Sequence, residues 1–175
     1  MIKNFLNVTR SKVSIIKKRS IHEPLESAIH FFTVQMDEQQ IKREIHLDRS
    51  VPRFYIDSDR LYEAFLNIIK NSLEAMPRGG TLSVHTSYTD NLVRVMIRDT
   101  GVGIDENDLP HIFEAYYTKK EEGSGLGLMN VYNIISAHKG RIKIESTPGE
   151  GTAVFIALPV RREKLQLPLF SRKKS

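Results

Sequence analysis

The stretch EEGSGLGL, residues 121–128, sets three glycines, a serine and two leucines in its last six positions. Glycine gives up more backbone freedom on folding than any other residue. Such a run is therefore either a flexible linker or a place where bare backbone must come close to something. It follows Lys119 and Lys120, and it precedes a helix-like run, MNVYNIISAH. At a helix N-terminus, exposed N–H groups on glycine-rich backbone make a cradle for phosphate. The surrounding chain decides between the two.

The chain has 175 residues, 40% of them hydrophobic, which suits one domain with a real core and short appendages. It holds no cysteine, which excludes a disulfide framework and a thiolate zinc site and favours a cytoplasmic location. No apolar run approaches the length of a membrane span, and no leader pattern is present, so no membrane contact is expected of this segment. The net charge of +5 is unevenly spread. Residues 1–19 carry six Lys/Arg and no acid, and residues 161–175 carry six Lys/Arg against Glu163, leaving 14 bases and 20 acids for residues 20–160. An acidic body with basic ends argues against a nucleic-acid face.

Periodicity outlines the elements. Residues 2–18 place Ile2, Phe5, Leu6, Val13 and Ile16 at helical spacing, and residues 24–40 read as a second helix. Two extended stretches, IKREIHL and RFYI, follow. Asp59 caps a strong helix through Met76, stopped by Pro77, Gly79 and Gly80. TLSVHTSY and NLVRVMIRD form a hairpin around Asp90-Asn91, a helix covers about 125–138, and RIKIES and TAVFIALP pair around the PGEG turn. This order predicts helices on one face of a mixed sheet. Residues 100–124 show no period, and a loop of that length is usually functional.

Besides the glycine run, chemistry gathers in two places. On the helix 59–76, Glu63, Asn67, Asn71 and Glu74 share one stripe opposite Leu61, Phe65, Ile68, Ile69 and Met76. Asparagine weakens a helix, so the stripe is either a plain solvated face or a set of amide oxygens for a hard cation such as Mg2+. In MIRDTGVGID, Asp99 ends a strand, where its carboxylate can accept from an exocyclic amine such as adenine N6. Gly101 and Gly103 would let a flat base approach the backbone. Asp-Thr-Gly also opens aspartic-protease sites, but those need a second such aspartate, and none is present.

N-x-x-x-N, D-x-G-x-G-I and F-E-A-Y-Y-T-K-K-E-E-G-S-G-L-G-L occur in that order, separated by strands. Together they resemble the N, G1, F and G2 boxes of the histidine-kinase catalytic domain, within the gyrase, Hsp90, histidine kinase and MutL superfamily. The resemblance covers about residues 20–160 and extends to GGTLSV and STPGEGTAVFIALP. It implies a Bergerat-type ATP-binding fold: an α/β (α+β) two-layer sandwich whose mixed sheet of about five strands is covered on one face by three helices, with a long lid. Asn71, supported by Asn67, would then be the Mg2+ ligand. Asp99 would bind adenine, with Gly101, Gly103 and Ile104 in the turn beside it and Thr152 completing a water-linked contact. Residues 105–124 would form the lid, hinged by Gly123 and Gly125 and anchored on the body by Phe113, Tyr116 and Tyr117. Lys120 would reach the outer phosphates, and the backbone of Ser124, Gly125, Leu126, Gly127 and Leu128 would cradle them. Residues 161–175 then read as a disordered tail.

The implied function is phosphoryl transfer from Mg·ATP to a histidine on a sensor kinase's dimerisation hairpin, with a response regulator downstream. The sequence departs from the family where Glu74 stands in place of a common Lys or Arg. N-S-L-E-A-M resembles instead the nitrogen-regulation branch, and Ala115 and Lys119 replace a common Pro and Thr. No acidic residue stands at Asn67 to activate water, as it does in the hydrolases. None of His22, His30, His46, His85, His111 and His138 has the context of a phosphoacceptor, so this chain alone is not expected to autophosphorylate. Residues 1–18 resemble the tail of the missing hairpin's second helix. Two other readings remain: a nucleotide-gated binding module, and a serine kinase of the anti-sigma type, whose lid is usually shorter and lacks these aromatics.

Overall fold

A computed structural model describes residues 15–118 and 125–160. Strands and helices follow as β1 (Lys17–Arg19), α1 (His22–Phe31), α2 (Thr33–Glu38), β2 (Ile41–His46), β3 (Phe54–Ile56), α3 (Ser58–Ala75), β4 (Gly80–Thr89), β5 (Leu92–Asp99), α4 (Gly127–Ala137), β6 (Arg141–Thr147) and β7 (Gly151–Pro159). The main sheet has five strands in the order β2-β4-β5-β7-β6. β2 runs parallel to β4 and the other pairs are antiparallel, which makes the sheet mixed. Two-residue alternation decides which face is buried. Leu82 and Val84, Val93, Val95 and Ile97, and Val154, Ile156 and Leu158 all point to one side, where they meet Leu25, Leu61, Phe65, Ile68, Ile69, Leu73, Val131 and Ile135 from α1, α3 and α4. Each such side chain contributes roughly 1.5–3 kcal/mol on burial.

The expected two-layer architecture is present, with local differences. The helix read over 24–40 is two helices, broken at Phe32, whose φ of −97° and ψ of 9° leave the helical region. Pro24 lies in the first turn of α1, where a missing N–H costs nothing. Residues 1–14, most of the stretch read as helical over 2–18, lie outside the described residues, as does the tail read over 161–175; Lys17–Arg19 pair antiparallel with β3 in a separate two-stranded ribbon. RFYI therefore joins that ribbon and not the main sheet. Asp57 rather than Asp59 caps α3, its extended backbone letting the side chain accept from Arg60 N at 3.1 Å. The β4–β5 hairpin turns on Asp90 and Asn91, both left-handed at φ 57° and 58°, the geometry of a two-residue primed turn. No described helix is long and apolar enough to cross a membrane.

α4 is tied to the start of α3 by His138. Its Nδ1 donates to Ile134 O at 2.8 Å, and its Nε2 accepts from Asp57 N at 3.0 Å, 81 residues away in sequence. His138→Ala is expected to lower stability by about 1–3 kcal/mol, because it strands a half-buried N–H at the cap. Chemical denaturation measures this; an unchanged midpoint would show the tie to be idle.

Candidate functional site

The helix α3 is the spine of the site. Its apolar stripe faces the sheet, so the opposite stripe lies off the core, with Glu63 and Glu74 exposed and Asn67 and Asn71 half-buried. Asn67 Nδ2 donates to Glu63 O at 3.0 Å, which commits its amide nitrogen to the helix. Its Oδ1 then faces α4, close enough that a Cβ on Gly127 would sit 3.1 Å from it. Glu63 reaches the same helix, accepting from Asn130 Nδ2 at 2.7 Å. Glu74 lies 3.7 Å from Lys70. Among the described residues no three His, Cys, Asp or Glu cluster as a metal cage. The donors present are amide and carboxylate oxygens on one open stripe, which fits a hard cation that takes its remaining oxygens from a ligand and water.

At the other end of α3, Asp99 closes β5 and is 3% exposed. Its Oδ1 accepts from Gly101 N at 2.9 Å and from Thr152 N at 3.2 Å, and the Ser72 hydroxyl bonds it from α3. Ser72 follows Asn71 directly, so the two ends of the site share one helical turn. Burial holds the Asp99 carboxyl above the usual carboxylate range; the bonds from Gly101, Ser72 and Thr152 pull it down without cancelling that effect. A raised pKa means the fold takes up a proton more readily than the unfolded chain. The stability tied to this group is therefore full below the unfolded pKa and lost as pH rises through the folded one. Ionised Asp99 opposes folding at neutral pH.

The turn after Asp99 is clamped from two sides. Val102 N donates to Ala75 O at 3.0 Å, and Gly149 N donates to Val102 O at 2.8 Å. A Cβ on Gly101 would lie 2.5 Å from Ala75 O, and one on Gly103 would lie 2.2 Å from Thr147 O. Both glycines thus serve close packing of the turn on α3 and on the β6–β7 corner. Ile104 N is bonded to Ser146 Oγ at 2.8 Å.

Residues 105–118 contain neither helix nor strand. Phe113 packs on the body through Tyr132 of α4, ring centroids 5.6 Å apart. Tyr116 does not anchor as expected. It is 76% exposed, while Tyr117 is half-buried and donates from its hydroxyl to Asp108 at 2.7 Å within the same segment. Tyr116 takes φ 66° because its N–H turns back to Gly125 O at 3.1 Å, which sends its ring outward. Gly125, at φ 65°, presses so closely on Tyr116 that a Cβ would lie 2.4 Å from its carbonyl carbon. Leu126 then precedes α4 with no side-chain cap, so Gly127 and Leu128 open a helix whose first amides no side chain of the cap residue covers. Lys120 and Ser124, with Gly123, lie outside the described residues.

Asn67, Gly127 and Leu128 therefore gather at one end, and Asp99, Gly101, Gly103, Ile104 and Thr152 at the other, with Asn71 on the spine between them. Sequence reasoning missed Ser72, Asn130 and Ser146. Ser146 was legible in principle, since RIKIES alternates and puts it on the face of Ile142 and Ile144.

Residues 56–162 match the family described as histidine kinase-, DNA gyrase B-, and HSP90-like ATPase. The chain is 33% identical over 163 residues to sporulation kinase E of Bacillus subtilis (strain 168), covering 93% of this chain and 22% of that protein. Against sporulation kinase A of the same organism it is 44% identical over 103 residues, covering 59% of this chain and 17% of that protein. The chain thus spans about a fifth of the length of these curated relatives. A solved mycobacterial sensor histidine kinase, MprB, superposes with a TM-score of 0.74 at 25% identity, over 84% of this chain and 99% of that one.

Proposed function

The chain belongs to the histidine kinase-, DNA gyrase B- and HSP90-like ATPase family, and from that premise we propose that it binds Mg·ATP along α3 and serves as the catalytic part of a protein-histidine kinase. The observation that carries the reading is the placement of Asp99. It is a buried carboxylate at a strand end, with one oxygen held by two backbone N–H groups and a bond from Ser72, the residue that follows Asn71 on α3.

Asp99 accepts from the exocyclic amine of the base. Asn71, with Asn67 one turn before it, offers amide oxygens to the metal that rides on the triphosphate. The first amides of α4, with the positive end of its dipole, face the phosphates. Lys120 adds a cation to the outer phosphates. Bound Mg2+ offsets phosphate charge as it shifts in the transition state. The acceptor is an imidazole nitrogen on a helical hairpin of a sensor kinase: its bond to the γ-phosphorus forms as the bridging oxygen leaves with ADP. A response regulator then takes the phosphoryl group. Three of the chain's histidines are engaged elsewhere: His22 Nε2 is bonded to Thr86 Oγ1 at 3.1 Å, and His46 and His85 stack on each other.

Asp99→Asn tests the site without unfolding it. The amide oxygen keeps the Gly101 and Thr152 bonds, and its NH2 faces Ser72, so stability at neutral pH should rise as the buried charge goes. Nucleotide affinity should fall by about 1–3 kcal/mol, because a charge-assisted acceptor becomes a donor facing a donor. Calorimetry with ATP and Mg2+ reads this directly. Unchanged affinity in the folded variant would remove Asp99 from the site.

A further inference from the structure

Three side chains form one rung across the sheet. Asp99 on β5 is paired with Thr152 on β7, and Thr152 with Ser146 on β6. Ser146 Oγ has three partners: Ile104 N at 2.8 Å, Gly151 O at 2.9 Å and Thr152 Oγ1 at 2.9 Å. The direction of each bond follows from elementary chemistry. A carbonyl has no proton to give, so the single hydroxyl proton of Ser146 goes to Gly151 O. The contact with Thr152 must then use the proton of Thr152. Ser146 Oγ receives it on one lone pair and the Ile104 N–H on the other, and is saturated. Thr152 Oγ1 is left with lone pairs alone, on the strand position beside the Asp99 carboxylate.

We propose that Ser146 is a specificity-setting positioning residue: by taking the Thr152 proton it makes the base-reading end of the site a pair of acceptors. Such a pair accepts a purine that carries an exocyclic amine and rejects one that carries a carbonyl at that carbon, since a carbonyl oxygen facing two acceptors finds no donor there and meets their lone pairs. Ser146 does this without touching ligand. The inference rests on the ATP-site reading above and adds to it the residue that turns a hydroxyl of either polarity into one of fixed polarity.

The test compares dissociation constants for ATP and inosine triphosphate by calorimetry on the full chain. The wild type should prefer ATP by about 100-fold or more. Ser146→Ala frees the Thr152 proton to turn toward a base carbonyl and should narrow the preference about tenfold, mostly through tighter binding of inosine triphosphate. Ser146→Thr keeps the hydroxyl and should keep the preference. Thr152→Val should narrow it also, and Ser146→Ala on that background should change the ratio no further. If Ser146→Ala fails to fold, Ser146→Cys takes its place: a thiol is a weak acceptor, so it should release the Thr152 proton and narrow the ratio likewise. A ratio unchanged in either variant, with both affinities falling together, would reduce Ser146 to a structural tie and overturn the proposal while leaving the ATP site standing. A wild type that binds neither nucleotide would sink the site reading itself, and this inference with it.

Discussion

Asn71→Ala should abolish phosphoryl transfer to a hairpin histidine supplied in trans while leaving the fold intact. Position 71 is half-buried on the stripe of α3, and the higher helix propensity of alanine offsets part of what the lost amide contact costs, so the fold is expected to persist. What goes is the amide oxygen set to hold the metal against the phosphates. Metal-borne charge stabilisation is worth several kcal/mol, so labelling of the hairpin from ATP should fall about 100-fold or more. A second readout separates metal from base. Mg2+ should raise ATP affinity in the wild type and have little effect in the variant, and with the metal chelated the two should bind alike. An equal Mg2+ effect in both proteins would remove Asn71 from the metal. A wild type that binds Mg·ATP tightly yet never labels a hairpin would favour the nucleotide-gated module over the kinase.

The largest effect on stability is expected at Gly151. Its φ is +109°, and a Cβ there would lie 2.0 Å from the carbonyl oxygen of Asp99, with Thr100 Cα 2.8 Å away. Both neighbours are backbone of the adjacent strand end and cannot turn aside. Gly151→Ala should cost about 3 kcal/mol or more, from the disfavoured backbone and the overlap together. Gly149 supplies the control. It sits in the same turn at φ +81°, but nothing lies within 4 Å of its Cβ position. Gly149→Ala should cost only about 1–2 kcal/mol of backbone strain. Equal denaturation midpoints for the two variants would show that crowding against Asp99 is not the cause.

What could be read in the sequence divides along a physical line. α3 was legible because its apolar period, its Asn and Glu stripe and the Pro77-Gly79-Gly80 stop are all local. The hairpin was legible because Asp90-Asn91 is turn chemistry. The break at Phe32 was not: no glycine or proline marks it, and it arises where Phe32 is 9% exposed while Phe31, packed edge-on against it, is 64% exposed. The ribbon of β1 with β3 was hidden for the same reason, since its pairing joins Lys17 to Ile56 and three residues carry no period. Asp57 and Asp59 flank Ser58 equally well in the sequence, and only the extended backbone at Asp57 selects the cap. At the site, residue types pointed to Asp99, Asn67, Asn71 and the glycines. Why the glycines are needed came from Ala75, Thr147 and Tyr116, neighbours that only the fold supplies.

The burial of Asp99 bears on how this chain can change over generations. A carboxylate that opposes folding at neutral pH, with an asparagine of the same shape one nucleotide substitution away, is a position where drift under selection for stability alone would run in one direction. Lineages that kept only the scaffold would be expected to lose the acid early, ahead of the glycines whose loss unfolds the turn. A descendant with Asn at position 99 and glycines intact at 101, 103 and 151 would be the mark of a fold retained after its ligand was given up.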